Sequence, residues 1–296
     1  MESKCVEDFI LDAENEYKSD HLLKAIDILK STENNILSGD VIFKDETLND
    51  NAYDCFINHK FVKQLYKDND FIFQCLDNYK EINKRDPDRS SDGIDNWFIK
   101  SENTNSITIS GRVTIACNFF HMVAVFKEID LLQKSIGSFE ELKTVEKILE
   151  TRWLVRSRIK VPVVSNRELY LLGFGIFIEK EKMIMLPFYT PEKDEFPKEI
   201  IPEKSDYTRI SMKFGYYCVR YLDENNSELF SCFNIDPNIS MVPWFVVNGI
   251  IKEFGYYIMR DFQKAAEDNK LKEEYLKRIK ENAFFYDLIR EQLHIK

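Results

Sequence analysis

No stretch of the chain stays apolar for the roughly 18 residues that a bilayer-spanning helix needs, so none reads as a membrane span. The start, MESKCVEDFILDAENEYK, has neither a basic segment nor an apolar core, and a secretory signal is not expected there. Basic charge is short: 41 Lys and Arg stand against 51 Asp and Glu, a formal charge of −10. Residues 1–50 carry 13 acidic and 5 basic side chains, so most of the excess lies there. Such a balance excludes nucleic acid as the expected partner and works against electrostatic adhesion to an anionic membrane. The 6 cysteines, at 5, 55, 75, 117, 218 and 232, form no close pairs, which reads as reduced thiols in a cytoplasmic protein. The 4 histidines, at 21, 59, 121 and 294, show no metal-ligand spacing, and Cys55 with His59 makes at most half a zinc site. Gly173-Phe174-Gly175 continues into Ile-Phe-Ile, a strand bend and not a dinucleotide fingerprint. Without a nucleophile elbow or phosphate loop either, no metal, cofactor or enzymatic activity is expected.

What the chain does have is aromatic bulk: 23 Phe and 14 Tyr among 296 residues suit a wide apolar interior. Three segments are expected. Residues 1–85 read as amphipathic helices, with Leu22, Leu23, Ile26 and Leu29 at helical spacing. The polar run Asn83–Gly93, holding Pro and Gly, offers the boundary to a domain over 86–268. Residues 269–296 form an amphipathic helical extension, whose AFFYDLI segment could dock on a protein partner.

From Trp97 onward the period changes to two. Ile107, Ile109, Val113 and Ile115 share one strand face, and Asn118 stands where a following helix needs its N-cap. Trp153, Val155 and Ile159 face inward, while Arg152, Arg156 and Arg158 form a solvated outer face. RELYLLGFGIFIEKEKMIMLPFY reads as two strands turning at Glu179–Lys182, and a long hairpin turns at Glu224–Asn226. On the first strand of that hairpin, Ile210, Met212, Phe214, Tyr216 and Cys218 make the apolar face, which Arg220 continues. A charge there must be paired or face a polar head, because unpaired burial is prohibitive. A proline-rich loop over 187–205 precedes the hairpin, and a long helix beginning at Pro243-Trp244 follows it. Val247, Ile250, Phe254, Ile258 and Phe262 stripe that helix. Gly249 and Gly255 within it call for a close approach to something.

Three stretches in order then resemble the START (StAR-related lipid transfer) family over 97–266. These are ITISGRVTIACNFFHMVAVFKEIDLL, VPVVSNRELYLL and NIDPNISMVPWFVVNGII. The resemblance implies an α+β helix-grip fold: a curved antiparallel sheet wrapped around a long C-terminal helix, here with extra helices at both ends. It also implies one lipid held without covalent catalysis and a transient contact with a membrane surface. Departures bear on the ligand. Gly173 stands where steroid-binding members carry an inward arginine, and Leu169 where phosphatidylcholine carriers place a cage tyrosine, so neither ligand is supported. Arg167 of the Ser-Asn-Arg motif either fixes local structure, through Glu168 or a loop carbonyl, or touches ligand.

Strand alternation and the helix stripe together define an expected cavity lining. The strands supply Val113, Ile115, Trp153, Val155, Leu169 and Leu171, and then Met183, Met185, Met212, Phe214, Tyr216 and Arg220. The helix supplies Val247, Ile250 and Phe254. Phe188, Tyr189, Phe196 and Ile200, with Trp244 and Phe245, are expected to reach a membrane surface. Three functions compete on this basis: lipid binding and transfer, a structural subunit whose interior is filled, and, last, an enzyme with only Tyr216, Cys218 and Arg220 to draw on.

Overall fold

The computed structural model describes residues 4–100, 106–160, 165–192, 195–236 and 244–295, without the side chains at 244–248, 250, 251, 254 and 269. Two compact units divide it, Met1–Asp77 and Asn78–Lys296. In the first unit α1 (Val6–Lys18) and α2 (Leu22–Ser38) pack together, and α3 (Ala52–Asn58) leads into α4 (Lys60–Asn83). Val6, Ile10 and Ala13 of α1 are buried, as are Ala25, Ile26 and Leu29 of α2, at the three- and four-residue spacing of one helix face. Gly39 closes α2 at a φ of 77°, a left-handed cap that only glycine adopts without strain.

The division falls inside α4, ahead of the Asn83–Gly93 loop that the sequence offers. Hydrogen bonding explains the position. The last turns of α4 are tied to the sheet by Tyr216 Oη donating to Asn78 Oδ1 (2.8 Å) and by Arg112 donating to Asn83 Oδ1 (3.3 Å). The Tyr79 ring meets Phe230 edge-on at 5.0 Å.

In the second unit, β1 (Arg89–Ser91), β2 (Ile94–Lys100) and β3 (Ile107–Ile115) form a meander, and α5 (Phe119–Lys127) and α6 (Ile129–Ser135) follow. β4 (Phe139–Lys147), β5 (Arg152–Ile159) and β6 (Arg167–Phe174) come next, then short β7 (Ile176–Ile178) and β8 (Met183–Tyr189). β9 (Thr208–Arg209) precedes the hairpin β10 (Met212–Tyr221) and β11 (Ser227–Ile235). The long helix α7 (Trp244–Glu267) and the pair α8 (Asn269–Glu281) and α9 (Ala283–Leu293) complete the chain.

One curved sheet runs β1-β2-β3-β11-β10-β8-β6-β5-β4, with β7 on β8 and β9 on β6. Every pairing along the main path is antiparallel; only β9 joins in parallel. α7 lies across β2 and β3 on the inner face, beside α5 and α6. This is the helix-grip arrangement. Asn118 caps α5 as its side chain accepts from Phe120 N at 2.9 Å. The core on this face continues into the C-terminal helices, where Tyr275, Phe285, Tyr286, Ile289 and Leu293 are buried with α5 and β3 residues. Phe285, Tyr286 and Ile289 of AFFYDLI are therefore spent on the domain's own core, whereas Ala283, Phe284 and Asp287 are exposed, Phe284 at 81%. Among the described residues no helix is long and apolar enough to cross a membrane.

Helix and sheet approach each other closely at two glycines. A Cβ on Gly111 of β3 would sit 2.4 Å from Met259 Cγ, and one on Gly255 of α7 would sit 2.6 Å from Ile109 Cγ2. Gly255 thus has the close neighbour its place in a helix calls for, whereas a Cβ on Gly249 would meet nothing within 4 Å among the described residues. Gly255→Val is expected to destabilise the protein by about 1–3 kcal/mol through overpacking against the stiff Ile109 side chain. Gly249→Ala should instead be neutral or stabilising by up to about 1 kcal/mol through helix propensity. Chemical denaturation of the two variants side by side reads both signs.

Candidate functional site

A pocket of about 280 Å³ lies between the inner face of the sheet and α5, α6 and α7. Its floor is the alternate residues of adjacent strands. Ile107 and Ile109 of β3 stand beside Phe233 and Ile235 of β11, which stand beside Met212 of β10. On the other side Trp153, Val155 and Ile159 of β5 meet Leu169 and Leu171 of β6. Phe126, Ile129, Leu132, Ile258 and Phe262 form the helical roof. Period-two alternation makes such a wall continuous, because paired residues on neighbouring strands point the same way.

An aromatic cluster fills one part of the wall. The ring of Tyr217 lies 4.6 Å from Phe126, 5.4 Å from Phe188, 5.3 Å from Phe233 and 5.2 Å from Phe262. Burial raises the Tyr217 phenol well above its ordinary pKa, which keeps it neutral. Gly215 beside it has no side chain because a Cβ there would meet the Phe188 ring at 2.4 Å.

Polar groups are few. Among the described lining residues, only Thr151, Trp153, Ser157, Arg167 and Tyr217 carry a side-chain nitrogen or oxygen. The Trp153 indole donates to Leu149 O at 3.0 Å. Arg167 Nη1 donates to the carbonyl of Ser165 and, at 2.7 Å, to its Oγ. Arg167 is 6% exposed, and burial pulls its guanidinium below the usual value. The Ser157 hydroxyl is buried without a hydrogen-bond partner among the described residues. No three His, Cys, Asp or Glu side chains among the described residues converge to hold a metal ion.

No family profile matches the sequence, and no curated protein does. Solved structures do match. Human STARD10 superposes with a TM-score of 0.54 at 15% identity, over 64% of this chain and 76% of that one. Human StAR-related lipid transfer protein 5 gives 0.53 at 15% identity, over 66% and 94%. A STAR-related lipid transfer protein from Xanthomonas axonopodis gives 0.51 at 13% identity, over 61% and 97%. The chain has the START fold.

Within this START fold the sequence-derived lining falls in several places. Trp153, Val155, Leu169, Leu171 and Met212 border the pocket. Val113 and Ile115 are on the inner face, but further along β3, in the filled core around α5 and α7. Phe214, Tyr216 and Arg220 are corrections: they lie on the opposite face of β10. A bulge between Met212 and Phe214 inserts one residue, so that even positions point inward before it and odd positions after it. Tyr216 accordingly stacks on Phe230 at 6.0 Å, and Arg220 Nη2 pairs with Glu228 at 2.9 Å. Met183 and Met185 share that outer face, since Met185 stands opposite Cys218 and Met183 opposite Arg220. The strand β8 is buried on both faces, so its parity was not legible from hydrophobicity. Val247, Ile250 and Phe254, like Trp244 and Phe245, have side chains outside the described residues.

Other expectations also shift. Phe188 and Tyr189 belong to β8 and are buried, at 8% and 9% exposure, so neither is free to reach a membrane; Phe196 and Ile200 are half-buried. The outer arginines of β5 are not a simply solvated row. Arg152 is buried against the Phe174 ring at 5.0 Å. Arg156 and Arg158 share Glu141 at 2.5 and 2.9 Å, and Arg158 also reaches Glu168 at 3.1 Å. Sequence reasoning missed Tyr217, whose inward aim follows from the bulge. It also missed Phe139 and Leu142 of β4, whose Glu- and Lys-rich strand has little β propensity.

Proposed function

We propose that this START domain binds a single lipid in the pocket and carries it between membranes without covalent chemistry. The observation that carries the reading is the pocket itself: nearly all hydrocarbon and aromatic, roofed by α7, in a fold shared with proteins named for lipid transfer. Apolar surface left facing water is unfavourable by roughly 25 cal/mol per Å², so a lipid tail replacing water there is stabilised by the hydrophobic effect. Transfer brings the protein briefly to a membrane surface, where the half-buried Phe196 and Ile200 of the 190–205 segment are suited to the interface. Cys5, Cys55, Cys117 and Cys232 are free thiols, which accords with a cytoplasmic setting.

Native mass spectrometry of protein purified without detergent tests the proposal. One adduct of lipid mass per chain is expected, lost on organic extraction and regained from vesicles. A clean apo mass that stays apo after incubation with vesicles would return the chain to the role of a structural subunit.

A further inference from the structure

Arg167 is a cation inside an otherwise oily wall, and no carboxylate among the described residues faces it. Its chain neighbour Glu168 is no partner, because successive strand residues point to opposite faces. Glu168 lies on the outer side, held by Arg158 at 3.1 Å and Arg209 at 2.9 Å. The residues paired with Arg167 in register, Ile159 and Thr208, are uncharged. Ser165 engages only Nη1, and with neutral acceptors. Nε and Nη2 have no acceptor among the described residues.

A second polar atom on the same face is also unsatisfied. Ser157 is 2% exposed, lines the pocket, and its Oγ has no partner. It stands opposite Leu169, two residues along β6 from Arg167. That makes Ser157 and Arg167 diagonal neighbours, roughly 7–8 Å apart at the backbone. A head group with two or more oxygens spans such a gap. Burying a cation that has only neutral acceptors, on one of its three nitrogens, beside an unpartnered hydroxyl is costly, and a ligand that supplies negative oxygen lowers both costs at once.

We propose that the pocket takes an amphiphile with one hydrocarbon chain and an anionic oxygen head, carboxylate or phosphate, seated on Arg167 and Ser157. The inference rests on the lipid-binding reading above. A guanidinium matches either head by paired N–H donation, and it repels a cationic head such as choline. The tail follows the apolar wall towards the Tyr217 cluster. A volume of about 280 Å³ sits at the small end of ligand pockets, which run roughly 300–1,000 Å³, and this favours one chain over two.

The test uses delipidated full-length protein and displacement of an uncharged fluorescent lipid probe by oleate, oleyl phosphate and oleyl alcohol. At least one anionic amphiphile is expected to bind about tenfold or more tighter than the alcohol, the scale of a hydrogen bond to a charged group. Whichever anion prevails identifies the head. Arg167→Met should erase that preference, with circular dichroism and the thermal unfolding midpoint showing that the variant is folded. Ser157→Ala, a milder change, should lower the preference severalfold and serves if Arg167→Met does not fold. Equal binding of all three amphiphiles, or a preference that survives both substitutions, overturns the head-group assignment while lipid binding stands. Failure of all three to displace the probe overturns the lipid reading along with it.

Discussion

Replacing Val155 with Trp is expected to abolish lipid uptake and to leave the delipidated protein as stable as wild type, or more stable. Val155 points into the pocket from β5, between Leu171 on one side and Thr144 on the other. A larger side chain there enters open space and displaces no packed atom. In a filled core the same kind of change typically costs about 1–3 kcal/mol. Leu229→Phe supplies that comparison, since Leu229 is 0% exposed within the close-packed part of the same inner face. Thermal unfolding of the two variants should therefore move in different directions, with a clear fall in midpoint for Leu229→Phe only. Vesicle-to-protein transfer of a fluorescent fatty acyl probe by Val155→Trp should drop more than about tenfold. A fall in its midpoint as large as that of Leu229→Phe would mean that the pocket is not room for a ligand.

The largest loss of stability is expected from Glu168→Gln. Burial alone would raise the Glu168 pKa, but hydrogen bonds from Ser205, Arg209 and Arg158 outweigh it, and the carboxyl titrates below its ordinary value. Breaking a buried ion pair by removing one partner costs roughly 3–5 kcal/mol. Here about 2–3 kcal/mol is expected at neutral pH, because the Arg158 and Arg209 side chains keep 26% and 30% of their surface exposed. The sign with pH follows from the depressed folded-state pKa. The carboxylate's contribution is fully present above the unfolded value near 4.3 and is lost as pH falls through the lower folded value. Wild type and Glu168→Gln should thus differ most above about pH 5 and converge in acid. Denaturant midpoints taken at neutral pH and in acid read this directly, and a gap that stayed constant with pH would refute the assignment.

Much of the sheet was legible because its strands are amphipathic. β3 and most of β5 alternate in sequence, which is enough to aim Ile107, Ile109, Trp153, Val155 and Ile159 inward. The Asn118 cap and the Glu224–Asn226 turn were equally plain, since both depend on residues a few positions apart. Where a strand is apolar on both faces, as in β8, hydrophobicity carries no parity. The Met212–Phe214 bulge has no hydrophobic signature either, and one inserted residue sent Phe214, Tyr216 and Arg220 to the wrong side.

Local periodicity was sufficient for the fold class, a two-period sheet with a long apolar helix, and separate motif runs carried the resemblance to START. These features are written within windows of a few residues, over which backbone geometry fixes which side chains share a face. Which part of the inner face is hollow was decided by packing between elements far apart in the chain. Val113 and Ile115 are overlaid by α5 and α7, while Ile107 and Ile109 on the same face of the same strand are left bordering space. The partner of Glu168 was settled in the same way. Arg209 arrives from a strand 41 residues away, because β9 joins β6 in parallel, and it holds Glu168 on the outer face, opposite to Arg167 and the pocket.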